Sequence, residues 1–186
     1  MQNFEKAYGL KPETMSLETF KRATDQLKDF PERLKVINMS GQGEPLLNRD
    51  LSKMIAYAKA ADVAERVEII TNASLLDREL SDRLIDSGLD CVRISLQGMT
   101  AQRYKEICGL SLDFRKFTDE IDYLFRHRGQ CEIFIKIMDI SLREGEEEMF
   151  YQMFGTMANR MYIEKCKPVY DDVEATQKIE VGTDRY

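Results

Sequence analysis

Ser87-Gly88-Leu89-Asp90-Cys91-Val92-Arg93-Ile94-Ser95-Leu96-Gln97-Gly98 reads as a turn, a strand and a second turn. Val92, Ile94 and Leu96 alternate with Arg93, Ser95 and Gln97, the period of two that sends apolar and polar side chains to opposite faces of a strand. A strand covered by helices on both sides would be apolar on both faces. This one predicts helices on one side and something polar on the other.

Four more runs share the pattern. In Lys35-Val36-Ile37-Asn38-Met39, Ile37 and Met39 oppose Asn38 and Ser40. In Val67-Glu68-Ile69-Ile70-Thr71, Val67, Ile69 and Thr71 oppose Glu68, Ile70 and Asn72. In Cys131 through Asp139, three isoleucines (133, 135 and 137) oppose Glu132, Phe134, Lys136 and Met138. In Arg160-Met161-Tyr162-Ile163-Glu164, Met161 and Ile163 oppose Tyr162 and Glu164. Helical spacing fills the intervals: Leu17, Phe20, Ala23, Leu27; Leu51, Met54, Ile55, Ala58; Leu80, Leu84, Ile85; Phe117, Ile121, Leu124, Phe125; Met149, Phe150, Met153, Met157. Strands alternating with helices predict an α/β fold with a parallel sheet. The mixed strand faces predict that the sheet curves around a polar interior. Charges on such a face need partners, so Glu68 and Glu164 are expected to pair with Arg93 and Lys136.

The 186 residues suffice for one domain. The pattern fades after residue 167, so 1–167 reads as the domain and 168–186 as an extended bridge or tail. A formal net charge of −6 argues against broad electrostatic binding to nucleic acid or an anionic membrane. The first residues hold no apolar signal core and no run is long enough to span a bilayer, which predicts a cytoplasmic protein. Cys91, Cys108, Cys131 and Cys166 are too widely spaced for a compact metal motif. They read as reduced, structural thiols. His127 at a helix end and the Glu146-Glu147-Glu148 run at a helix start are explained by the helix dipole.

Ligands of parallel α/β folds bind at the carboxyl ends of strands. Those ends read Ser40-Gly41-Gln42-Gly43-Glu44-Pro45, Thr71-Asn72-Ala73, Ser95-Leu96-Gln97-Gly98 and Met138-Asp139. The glycines let a backbone approach a ligand closely, and Glu44 offers an acceptor for an ammonium group. Alone, this stretch is a weak signal, matching neither a P-loop nor a dinucleotide fingerprint.

In order and spacing, these segments resemble the radical SAM superfamily over roughly residues 15 to 165. Ser40 to Pro45 is similar to the family's glycine–glycine–glutamate–proline motif after its second barrel strand, Gln42 being extra or substituted. Ile70-Thr71-Asn72-Ala73 resembles the third strand, and Ser87 to Gly98 the approach to and end of the fourth. The resemblance implies a partial parallel (βα)6-type barrel lacking the first strand and cluster loop. It also implies an enzyme core that cleaves S-adenosylmethionine reductively, giving a 5′-deoxyadenosyl radical that takes hydrogen from a substrate. The implied cofactor-binding residues are Gly41, Gln42, Gly43, Glu44, Asn72, Ser95, Gln97 and Lys136. The implied cofactors are S-adenosylmethionine and a [4Fe–4S] cluster. The implied partners are a small-molecule or peptide substrate and an electron donor such as flavodoxin or ferredoxin. The family's C-x₃-C-x₂-C cluster loop has no counterpart in the sequence, so the cluster's ligands are not among its cysteines. Residues 167–186 resemble the bridge to a SPASM-type auxiliary domain. These departures fit a fragment or a member that has lost its cluster; persistence of the other site residues favours the fragment. A non-catalytic nucleoside-binding module and an unrelated (βα) barrel lyase using Lys136 as a Schiff-base amine remain as alternatives.

Overall fold

The computed structural model describes residues 14–41 and 43–166; Gln42 and the tail from 168 to 186 lie outside them, as do residues 1–13 and 167. Five strands alternate with helices: α1 (Leu17–Gln26), β1 (Ile37–Asn38), α2 (Leu51–Ala61), β2 (Val67–Thr71), α3 (Arg78–Asp86), β3 (Cys91–Leu96), α4 (Ala101–Cys108), α5 (Phe114–His127), β4 (Glu132–Met138), α6 (Glu146–Phe154) and β5 (Arg160–Glu164). They form one parallel sheet in the order β1-β2-β3-β4-β5. Helix starts agree with the sequence chemistry. Ser16, Asp77, Thr100 and Asp113 each accept a main-chain N–H of the first turn, and Glu146, Glu147 and Glu148 open α6.

The predicted strand faces are the observed ones. Val67, Ile69, Val92, Ile94, Leu96, Ile133, Ile135 and Ile137 are buried under the helices. Leu51, Ile55, Ala58, Leu84, Ile121, Leu124, Phe150 and Phe154 supply the helical side of that core.

The opposite face is built in rungs fixed by the register. Asn38, Glu68, Cys91 and Glu132 lie side by side nearest the amino ends. Ile70, Arg93, Phe134 and Arg160 form the next rung. Ser95, Lys136 and Tyr162 come after it, then Met138 and Glu164.

Several boundaries differ from the sequence reading. The first strand is Ile37–Asn38, not residues 35–39, because it is an edge whose flanks pair only intermittently: Leu34 bridges Ala64, and Met39 N donates to Glu68 O at 2.8 Å. Cys131 precedes its strand, its N–H being taken by Arg128 O in a turn. Leu27 closes α1 in a 3-10 turn, and α6 stops at Phe154 ahead of Gly155. Helix α4 is not among the helical spacings read from the sequence, its apolar stripe being short.

Replacing Ile135, which has no exposed surface, with alanine should cost about 2–5 kcal/mol through the cavity left. Tyr162→Ala, on the opposite face of the neighbouring strand and 40% exposed, should cost about 1 kcal/mol or less. Denaturant titration of the two variants checks the face assignment; equal losses would contradict it.

Candidate functional site

The carboxyl ends of β1 and β2 are joined by one carboxylate. Glu44 caps the short 3-10 turn Pro45–Leu47, its Oε1 accepting from Leu46 N at 3.1 Å. The same oxygen accepts from Thr71 Oγ1 at 2.5 Å, and Oε2 accepts from Asn72 N at 2.9 Å. Thr71 relays the contact, since its hydroxyl also accepts from Ala73 N at 2.9 Å. Ala73 is buried with φ +57, a left-handed conformation that costs a β-carbon-bearing residue roughly 1–2 kcal/mol. Glu44 therefore holds its own loop, the end of β2 and a strained turn in one arrangement. Ser40 extends the pairing of β1 past its last strand residue: its Oγ accepts from Ile70 N at 2.7 Å.

Among the described residues, a β-carbon added at Gly41 or Gly43 would meet nothing within 4 Å. Among the described residues no packing contact demands glycine there. Gln42 lies between them, outside the described residues.

Asn72, one step past the end of β2, accepts from Ser74 N on its side-chain Oδ1 at 2.9 Å. Ser95 and Lys136 are register partners, and Lys136 Nζ is 2.5 Å from Glu164 Oε2. Gln97 comes directly after β3 and its Nε2 donates to Ser95 O at 3.3 Å. The structure thus brings Glu44 and Asn72 into contact and lines up Ser95, Lys136 and Gln97 along β3 and β4 at the same end. Lys136 is engaged by a carboxylate rather than standing as a free amine. Below them Arg93 Nε pairs with Glu68 Oε2 at 3.1 Å, as the alternation predicts.

Sequence reasoning places Thr71 at the end of β2 but misses the role of its hydroxyl, since the residue has the parity of the apolar face, and it misses α4's Arg103. Arg103 donates to the main-chain oxygens of Ser141 at 3.1 Å and Ile140 at 2.8 Å. Its Cβ and Cγ lie where a β-carbon on Gly98 would fall, so that glycine is fixed by packing. The clue in the sequence is Gly98 itself, a glycine shortly before a helix cap.

The four cysteines do not converge. Cys91 is buried on the amino-end rung and Cys131 is buried just before β4. Cys108 ends α4, exposed, its thiol donating to Tyr104 O at 3.0 Å. Cys166 lies past β5, its N–H donating to Asp139 Oδ1 at 3.0 Å. Among the described residues no three His, Cys, Asp or Glu side chains are grouped to hold a metal. Burial pushes the Cys131 thiol up to about 12 and raises Cys91 too, against the pull of Arg66.

A parallel sheet in strict sequential order, with helices between successive strands, defines a partial (βα) barrel-type fold. The family model of the radical SAM superfamily matches residues 3–150, and the chain belongs to that superfamily. It is 39% identical over 118 residues to an Fe-coproporphyrin III synthase of Methanosarcina barkeri, covering 63% of this chain and 26% of that protein. It is 38% identical over 79 residues to a probable GTP 3′,8-cyclase of Sulfolobus acidocaldarius, covering 42% of this chain and 24% of the other. The chain spans about a quarter of the length of these curated relatives. The solved structure of TYW1 with a lysine-pyruvate adduct bound shares the fold, with a TM-score of 0.55 at 17% identity, covering 82% of this chain and 52% of that one.

Radical SAM enzymes use S-adenosylmethionine and a [4Fe–4S] cluster. The carboxyl-end residues fit the first: two open glycines and a braced carboxylate with no basic partner among the described residues suit its aminoacyl end. The four cysteines do not fit the second, since two are buried at the amino ends of strands.

At pH 8, iodoacetamide should modify Cys108 rapidly and Cys166 next, leaving Cys91 and Cys131 unmodified until the protein is unfolded. A raised thiol pKa leaves little thiolate to react, and burial blocks the reagent. Peptide mass mapping checks this; early labelling of Cys131 would contradict the packing at the base of β4.

Proposed function

We propose that this chain forms the S-adenosylmethionine-holding part of a radical SAM enzyme. Residues 1–167 make up the partial barrel and 168–186 an extension from it. The observation that carries the reading is Glu44: a carboxylate fixed by three donors from two strand ends, with no ion pair to a basic side chain among the described residues. An acceptor held that rigidly costs little to order when an ammonium arrives.

In this reading Gly41, Gln42 and Gly43 present main chain to the amino-acid part of the cofactor, and Glu44 receives its ammonium. Asn72, Ser95 and Gln97 face the remaining polar groups from the next two strand ends. Lys136, held by Glu164, supplies positive charge beside Ser95. When bound and reduced, the cofactor supplies a 5′-deoxyadenosyl radical for hydrogen abstraction. The chain's own residues position it and keep water out, which the buried helix-side core makes possible by holding the strands rigid. An electron donor such as flavodoxin or ferredoxin would serve the enzyme in the cytoplasm, with a small molecule or peptide as substrate. No helix among the described residues is long and apolar enough to cross a membrane.

Calorimetric titration with S-adenosylmethionine tests the proposal. The chain should bind it, and Gly43→Val should remove binding while leaving the melting temperature unchanged, because that β-carbon meets no atom of the described residues within 4 Å. Glu44→Gln should weaken binding by about tenfold or more, the loss of one charge-assisted contact. Equal affinity in all three proteins would overturn the assignment.

A further inference from the structure

Glu68, Glu132 and Glu164 are not enough to neutralise Arg93, Lys136 and Arg160 on the same face of the sheet together with Arg66, just before β2. Lys136 takes Glu164 at 2.5 Å. Arg93 takes Glu68 at 3.1 Å. Arg66 reaches Glu132 at 2.8 Å and Glu68 at 3.6 Å. Arg160, the first residue of β5, has no carboxylate within ion-pair distance among the described residues. Among the described residues one guanidinium is left over.

The surplus sits at a defined place. The Phe134 ring, only 7% exposed, carries three guanidinium groups, with carbon-to-centroid distances of 4.9 Å for Arg93, 5.4 Å for Arg160 and 5.5 Å for Arg66. Arg93 and Arg160 come from the strands on either side of Phe134, in the same rung. Attraction to the ring face favours keeping each guanidinium beside it. Three like charges on one ring repel, and two carboxylates offset only part of that. A pre-oriented fork left unpaired matches the two-oxygen face of a carboxylate or phosphate.

We propose that Arg160 and Arg93, stacked on Phe134, bind an oxyanion group, carboxylate or phosphate, of the molecule that enters the concave face below Ser95 and Lys136. The substrate class is then anionic. This rests on the concave face being the ligand side, as in the proposed function, but not on cofactor binding itself.

The probes are inorganic pyrophosphate and citrate, each titrated into isotope-labelled protein at constant ionic strength. The readout is the arginine Nε–Hε NMR signals. One or both anions should shift Arg160 and Arg93 saturably, while Arg126, exposed and paired with Asp122 on α5, stays still. A stronger response to pyrophosphate assigns a phosphate-bearing ligand, and a stronger response to citrate a carboxylate. Arg160→Gln, at an exposed site, should weaken the affinity about tenfold. Phe134→Leu should weaken it as well, with the arginines still present. Shifts that do not saturate, or that Arg126 shares, mean an adventitious ion only and overturn the proposal, as does unchanged affinity in Arg160→Gln. S-adenosylmethionine titrated into the same samples separates the two readings: cofactor binding lost with the anion response kept would sink the proposed function alone.

Discussion

Each crossover in this chain carries it to the very next strand, and right-handed connections then lay every helix on the same side of the sheet. That constraint decides the character of both faces. One must be apolar to bury the helices. The other is released from that demand and accumulates Asn38, Glu68, Arg93, Phe134, Lys136, Arg160 and Glu164 in register. A doubly wound sheet of the same strands would have to bury those charges under helices, at several kcal/mol each for any left unpaired. The polar face is tolerated only because the winding never reverses.

The same winding sets all the strand ends together, but Glu44 turns proximity into a site. Its carboxylate ties the glycine-rich loop after β1 to Thr71 and Asn72 at the end of β2, and through Thr71 to the left-handed Ala73. Strain in a buried turn persists when surrounding bonds over-determine it; here four hydrogen bonds meet at two side chains. At the ends of β3 and β4, Arg103 acts comparably by reaching two main-chain oxygens across the gap. The two braces leave the polar side chains between them on rigid supports.

Much of this is legible in the sequence. The period-two alternation is strong in the central strands, each with one buried face, so β2 can be bounded to the residue and Arg93–Glu68 and Lys136–Glu164 paired in advance; the edge strand β5, with Met161 and Ile163 half-buried, still keeps the alternation. The edge strand β1 is overread because Val36 and Met39 are apolar yet not buried there. The candidate residues Glu44 and Asn72 are recognisable by position; the hydroxyl that links them is not, since Thr71 has the apolar parity and its role depends on a loop 27 residues away. Arg160 and Arg66 are invisible as partners of Phe134, because stacking across three strands leaves no periodic trace within any one of them.

Whether S-adenosylmethionine lies on the concave face at the carboxyl ends, against Glu44, is measured most directly by amide-resolved NMR of the chain titrated with that cofactor. Saturable shifts are expected at Gly41, Gly43, Asn72, Ser95 and Gln97, with the amides of α3 and α5 unmoved. Shifts centred on those helices, or at the amino-end rung of Glu68 and Glu132 with the glycine loop silent, would contradict it.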